Sequence, residues 1–208
     1  MADSYAPLTT SELSSLFITL MRSGTRFQVY YGSCPDNTRS VTISLKNFVG
    51  QPYLNKINAS LTVPCTTPLQ WIVKTIRETG RYSVRPFASF PDTLPIGELF
   101  THYGLFRSDA FYTLQVVLAN GELLHLGSQA CASVTGYQAI SLFLGTKNLI
   151  GVPVEYTLRL LPLEREENMP VFSAESLKSK NSDDEERRLL LAMKNRYDPT
   201  HLLNTTAV

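Results

Sequence analysis

The chain has 208 residues, 43% of them hydrophobic and 18% charged, with a formal net charge of +1. That suits one globular domain with a substantial core, and without a long basic block it speaks against nucleic acid as a partner. No apolar run approaches the roughly 20 residues needed to cross a bilayer, and MADSYAPLTT lacks the basic start and apolar stretch of a secretory signal; these features imply a cytoplasmic address.

The first predicted element is a helix from Thr10 to Ser23, where Leu13, Leu16, Phe17, Leu20 and Met21 repeat on one helical face. Thr9 and Glu12 read as its capping box and Gly24 as its stop. A strand at Arg26–Tyr31, a polar turn and a strand at Val41–Leu45 follow. A further strand, Ala59–Val63, leads into a helix with Pro68 at its first position, a stripe of Leu69, Ile72, Val73 and Ile76, and Gly80 at its end. Trp71 beside that stripe reads as packing.

Residues 81–107 are rich in aromatics and proline and read as loop. The seven aromatics Phe87, Phe90, Phe100, Tyr103, Phe106, Phe111 and Tyr112 either fill a cleft between subdomains or form a partner-binding surface. Two apolar strands around Asn120-Gly121 predict a hairpin with a type I′ turn. A short helix over Tyr137–Leu144 and a strand over Gly151–Leu163 come next. From Glu164 to Asp184 the composition turns polar, as in a linker. A last helix opens on a second capping box, Ser182 and Glu185, with Leu189, Leu190, Met193 and Tyr197 as its apolar face and Asp198-Pro199 as its close. The alternation of strands and helices predicts an α+β domain. Cys34, Cys65 and Cys131 lack metal-ligand spacing and read as reduced, mostly buried thiols. His102, His125 and His201 also lack ligand spacing, and no nucleophile–base motif or phosphate loop of the Walker type is present.

Three stretches carry a resemblance. The run from Leu142 to Pro162 passes through a glycine-punctuated turn into Glu155-Tyr-Thr-Leu-Arg-Leu-Leu-Pro162. The run Gly127-Ser-Gln-Ala-Cys-Ala-Ser-Val-Thr-Gly-Tyr137 lies just upstream, and Arg196-Tyr-Asp-Pro-Thr-His-Leu-Leu-Asn204 lies near the C-terminus. In order and spacing these resemble the FAD-linked oxidases of the vanillyl-alcohol-oxidase type (the PCMH-type FAD-binding domain), most of all the FAD-binding subunit of glycolate oxidase. The resemblance covers nearly the whole chain. It implies a flavin domain over residues 1–163, with one subdomain over about 1–80 and a second over about 81–163. A polar linker over 164–183 then stands in place of the family's substrate-capping domain, and a C-terminal helix and tail over 184–208 pack back on the domain.

The resemblance also implies where FAD would sit: Gly32 and Ser33 at the diphosphate, Pro91, Thr93, Leu94 and Gly97 along the cleft, Val134, Gly136 and Tyr137 at a flavin-facing turn, and Ile150, Gly151 and Val152 at the ring. No residue is singled out as catalytic, since the reactive chemistry of such enzymes belongs to the cofactor, and Glu155 reads as structural. The implied function is flavin-linked oxidation of a small 2-hydroxy acid beside a catalytic flavoprotein subunit and an iron–sulfur subunit. Several positions depart from the family: Pro35 and Asp36 in the diphosphate loop, Pro95 where glycine is usual, and Ala132, Ser133 and Gln138 around the Gly-Tyr turn. Those departures, with the missing cap, leave a second reading open, a flavin-fold scaffold or interaction subunit that has lost FAD and catalysis.

Overall fold

The structure is a computed structural model, and it describes residues 3–32, 40–84, 87, 90–102, 110–128, 139–164 and 184–204. The architecture is α+β, with two sheets. In the first, β1 (Ser4–Tyr5), β3 (Val41–Ser44) and β2 (Phe27–Tyr30) run parallel in the order β1-β3-β2. Helix α1 (Thr10–Arg22) covers this sheet, burying Leu13, Phe17 and Leu20, with the rings of Phe17 and Phe27 4.9 Å apart. Full burial of each such side chain contributes about 1.5–3 kcal/mol. The predicted cap forms in a modified way. Thr9 Oγ1 accepts from Glu12 N at 3.2 Å, while the Glu12 carboxylate reaches past the cap residue to accept from Leu8 N at 2.8 Å.

The second sheet is antiparallel, in the order β4-β5-β8-β6-β7. Its members are β4 (Tyr53–Asn55), β5 (Ser60–Pro64), β6 (Phe111–Leu118), β7 (Leu123–Gly127) and β8 (Gly151–Arg159). Strand β8 is central and buried along most of its length, with Glu155 half-buried in its middle. Because β5 pairs with β8, the change of sheet falls between Ser44 and Tyr53, ahead of residue 80.

Several local expectations are corrected. Helix α2 (Leu69–Glu78) starts one residue later than expected, because Pro68 has extended backbone and forms the cap. The first amides of α2 are satisfied by the 91–95 loop, Leu69 N donating to Leu94 O at 3.0 Å and Gln70 N to Asp92 O at 2.8 Å. Trp71 is an exposed residue of α2, not a packed one. Within the stretch read as loop lies α3 (Ile96–His102), seven residues long, whose Ile96, Leu99 and Phe100 are buried at helical spacing. Of the aromatics in and after that stretch, Phe87, Phe90, Phe100 and Phe111 are core residues and Tyr112 is half-buried; Tyr103 and Phe106 lie outside the described residues.

The hairpin forms, but not with a type I′ turn: Gly121 has φ +84° and Asn120 has no positive φ. Gly121 N donates to Leu118 O at 2.9 Å and Leu118 N to Glu122 O at 2.9 Å, the pattern of a three-residue loop ending on a left-handed glycine. A side chain at Gly121 would also strike α1, 2.5 Å from Ile18 Cγ1. The hairpin tip thus seats the second sheet on the first helix, with Ser14 Oγ donating to Gly121 O.

Of the helix predicted at Tyr137–Leu144, a single turn at 139–141 is described, continuing as tight turns, and Tyr137 and Gln138 are outside the described residues. Strand β8 stops at Arg159, and Pro162 instead makes an isolated bridge with Tyr82. The polar segment lies outside the described residues except for Glu164 and Asp184, the latter opening the last helix, and Ser182 also lies outside. Cys65 is a buried free thiol, and Cys34 and Cys131 lie outside the described residues. In the last helix, α4 (Asp184–Tyr197), Leu189 is 49% exposed and belongs to no buried face, whereas Lys194 is 1% exposed.

Candidate functional site

Strand β2 ends at Tyr30, and the chain turns through Tyr31 into Gly32. Tyr31 is buried and ties three parts of the chain together. Its hydroxyl donates toward Asn148 Oδ1 at 2.9 Å and toward the Pro153 carbonyl at 3.1 Å, and it accepts from Thr101 Oγ1 at 3.1 Å. The end of β2, α3 and the turn into β8 therefore converge, and with them Gly32, Gly97 and Gly151.

Each of these glycines has a different surrounding. A Cβ at Gly97 would lie 2.5 Å from the Tyr31 ring and 2.9 Å from the Cys65 carbonyl oxygen, and Gly97 N already donates to that oxygen at 2.8 Å. A Cβ at Gly151 would lie 2.8 Å from Val116 Cγ1 and 2.9 Å from the Val117 oxygen. Both are glycine because protein atoms fill the space. At Gly32 the nearest atom to a Cβ among the described residues would be Glu98 Oε2 at 3.9 Å, an ordinary contact, so none of the described residues closes that backbone face. Ser44 Oγ fixes the Gly32 carbonyl at 2.9 Å.

The remaining candidates divide by exposure. Pro91 and Thr93 are exposed and Leu94 is half-buried, on the loop that caps α2 and runs directly into α3. Ile150, Gly151 and Val152 are fully covered by protein; Gly151 pairs with Leu118 and Val152 with Val117 across β6. Ser33, Val134, Gly136 and Tyr137, with the departures Pro35, Asp36, Ala132 and Ser133, lie outside the described residues.

Beneath the site is a polar cluster that sequence periodicity did not reveal. Tyr156, Phe100 and Phe111 pack edge-on or tilted with centroids 4.7–6.2 Å apart, and the buried Tyr156 hydroxyl has no well-formed hydrogen bond among the described residues. Thr101 and Tyr31 are its nearest polar neighbours. Burial pushes both tyrosines and the Cys65 thiol far above their ordinary ranges, and the nearby Cys65 raises both tyrosines further. Burial thus favours the neutral, protonated form of all three groups. Among the described residues no cluster of metal-ligating side chains occurs, and no helix is long and apolar enough to cross a membrane. Glu155 stands apart, accepting from Gln115 Nε2 at 2.7 Å; desolvation raises its pKa and His125 partly offsets the rise.

No family model matches the chain. Over 150 residues it is 28% identical to a D-2-hydroxyglutarate dehydrogenase of Xanthomonas citri pv. viticola, covering 69% of this chain and 32% of that protein. Over 60 residues it is 37% identical to glycolate oxidase subunit GlcD of Bacillus subtilis, covering 29% of this chain and 13% of that one. Among solved structures it is similar to 4-ethylphenol oxidase from Gulosibacter chungangensis, with a TM-score of 0.61 and 17% identity over 76% of this chain and 34% of that one. At these modest identities the likenesses fit an FAD-binding oxidase family. It spans about a third of the first of these relatives and less of the second.

Against this flavin fold the described residues can be tested for a dinucleotide. Among the described residues, Gly32, where the nearest atom to a Cβ would be 3.9 Å away, and the exposed Pro91 and Thr93 are the candidates left accessible and would make the rim of such a site. The candidates at 97 and 150–152 are buried and would make the wall behind it.

Proposed function

We propose that this chain is an FAD-binding domain taking part in the oxidation of a small 2-hydroxy acid. The observation that carries the reading is the open backbone face of Gly32, at the end of a parallel strand in a fold shared with FAD-linked oxidases. Backbone N–H groups can approach a diphosphate where no Cβ intervenes. Gly32 and Ser33 would hold the diphosphate, and Pro91, Thr93 and Leu94 would flank it. Gly97 and Ile150–Val152 would support the ring side through the packing around Tyr31. When bound, FAD supplies the two-electron acceptor for the substrate. The proposal extends to a complex with a catalytic flavoprotein subunit and an iron–sulfur subunit, on the strength of the resemblance to the glycolate oxidase FAD-binding subunit.

The test is a titration of purified full-length chain with FAD, followed by flavin fluorescence and melting temperature, on the natural sequence and on Gly32→Ala. The natural chain is expected to bind near one equivalent and to melt higher with FAD. Gly32→Ala is expected to fold equally well, since its methyl finds ordinary van der Waals space, yet to bind FAD about tenfold more weakly, or ~1.4 kcal/mol. No flavin uptake by the natural chain refutes the proposal. It would leave the scaffold reading, which the complete protein coverage of Ile150–Val152 favours.

A further inference from the structure

The turn before β8 holds two successive non-glycine residues in the left-handed region, Lys147 at φ 51° and Asn148 at φ 60°. Such backbone persists only where its surroundings enforce it. Helix α3 holds it from one side, Gly145 N donating to Phe100 O at 2.8 Å and Lys147 N to Thr101 O at 3.1 Å. The C-terminal segment holds it from the other. Lys194 Nζ donates to Leu149 O at 2.7 Å, and Asn204 Nδ2 donates to Lys147 O at 2.9 Å and Asn148 O at 3.4 Å.

The same segment grips β2. Phe27 N donates to Leu202 O and Asn204 N to Phe27 O, each at 2.9 Å, and Asn204 Oδ1 accepts from Val29 N at 2.9 Å. Asp198 shapes the segment by accepting from Leu202 N and Leu203 N at 2.9 Å while pairing with Lys194 at 2.7 Å, both side chains buried. Lys194 closes the loop by donating also to Leu203 O at 2.6 Å. A buried ion pair is a weak source of stability compared with apolar packing, so stability alone is a poor account of this arrangement. Its geometry offers a better one, because every bond it makes beyond its own segment ends on β2 or on the 147–149 turn.

We propose that Lys194, Asp198 and Asn204 are positioning residues. They clamp the 147–149 turn to β2, and so set the separation between the Gly32 rim and the wall at Ile150–Val152. The functional consequence rests on the flavin reading above. The test compares the full chain with Asn204→Ala by hydrogen exchange and by FAD titration. Amides at 27–30 and 147–150 are expected to exchange about tenfold faster in the variant, with β7 and residues 111–116 of β6 unchanged, and FAD to bind weaker by about the same factor. Exchange that rises everywhere, or stays unchanged, overturns the clamp. Unchanged FAD affinity beside a loosened turn overturns its positioning role. Should Asn204→Ala fail to fold, Asn204→Asp keeps the acceptor for Val29 and turns the two bonds to the Lys147 and Asn148 carbonyls into repulsion between oxygens, so the same exchange pattern is expected. Should the natural chain take up no FAD, the flavin reading falls, and the exchange pattern decides the clamp alone.

Discussion

Tyr156 offers a direct test of the physics at the heart of the fold. Its ring is fully buried on β8 against Phe100, 5.1 Å away, and Phe111, 6.2 Å away. Its hydroxyl makes no well-formed hydrogen bond among the described residues, although Thr101 and Tyr31 lie close. A buried polar group left unsatisfied costs about 1–3 kcal/mol. Tyr156→Phe keeps the ring contacts and removes that cost, so the variant is expected to be more stable by about that amount. For a chain of this size each kcal/mol moves the melting temperature by about 2–4 °C.

Tyr31→Phe is the control, because the chemical change is the same and the surroundings are opposite. Its hydroxyl serves Asn148 Oδ1, the Pro153 carbonyl and Thr101 Oγ1. Removing it leaves the buried Pro153 carbonyl without this donor, although Thr101 Oγ1 keeps Asn148 Oδ1 at 3.3 Å, and about 1–3 kcal/mol is expected to be lost. Thermal and urea unfolding followed by circular dichroism measure both. Loss of stability in Tyr156→Phe as well as in Tyr31→Phe would refute the reasoning. It would mean that a buried water bridges Tyr156 to its neighbours, as happens at polar sites with room for one.

Two further outcomes follow from packing and charge. Gly97→Ala and Gly151→Ala each place a methyl within 3 Å of fixed protein atoms, including the backbone oxygens of Cys65 and Val117, and are expected to lose about 1–3 kcal/mol by overpacking whether or not FAD is present; stability equal to that of Gly32→Ala would show that the neighbours yield. Glu155 has its pKa raised, first by desolvation, against an opposing effect of His125. The folded state therefore holds this proton to higher pH than the unfolded chain does, and the stability tied to it is lost as pH rises above the ordinary glutamate range. Glu155→Gln keeps an acceptor for Gln115 and is expected to flatten that fall in a series of unfolding curves from pH 4 to 8; an unchanged slope would assign it to other groups.

How much was legible in the sequence depended on whether the signal was local. Helix α1 and its cap, β2, β3, β5, α2 and the hairpin were readable because apolar period and punctuation agreed at each. Helix α3 was hidden by its length and by Gly97, which tight packing on Tyr31 requires and which lowers helix propensity. The hairpin turn was misread because Asn-Gly suits two turn types, and the approach of α1 to Gly121 favours neither from sequence. In α4, Leu190, Met193 and Tyr197 pack on the core as their spacing implied and Leu189 does not. A lysine reads as a surface residue, and although Asp198 four residues on is a local partner, nothing local signals that Lys194 also meets the Leu149 carbonyl.

The candidate site divides along the same line. Motif order implied a cleft with Gly32 on one side and the Gly136–Gly151 region on the other; Gly136 lies outside the described residues, and Tyr31 links the stretches of Gly32, Gly97 and Gly151. What spacing could not supply is why each glycine is there, since a glycine facing a ligand and one facing a neighbouring ring look identical in a sequence. The distances separate them: at 97 and 151 protein atoms occupy the missing side chain's place, and at 32 the nearest atom of the described residues is 3.9 Å away. A cofactor-dependent effect confined to position 32, beside ligand-independent losses at 97 and 151, is therefore the pattern that a flavin site predicts. A scaffold without cofactor predicts losses at 97 and 151 and silence at 32.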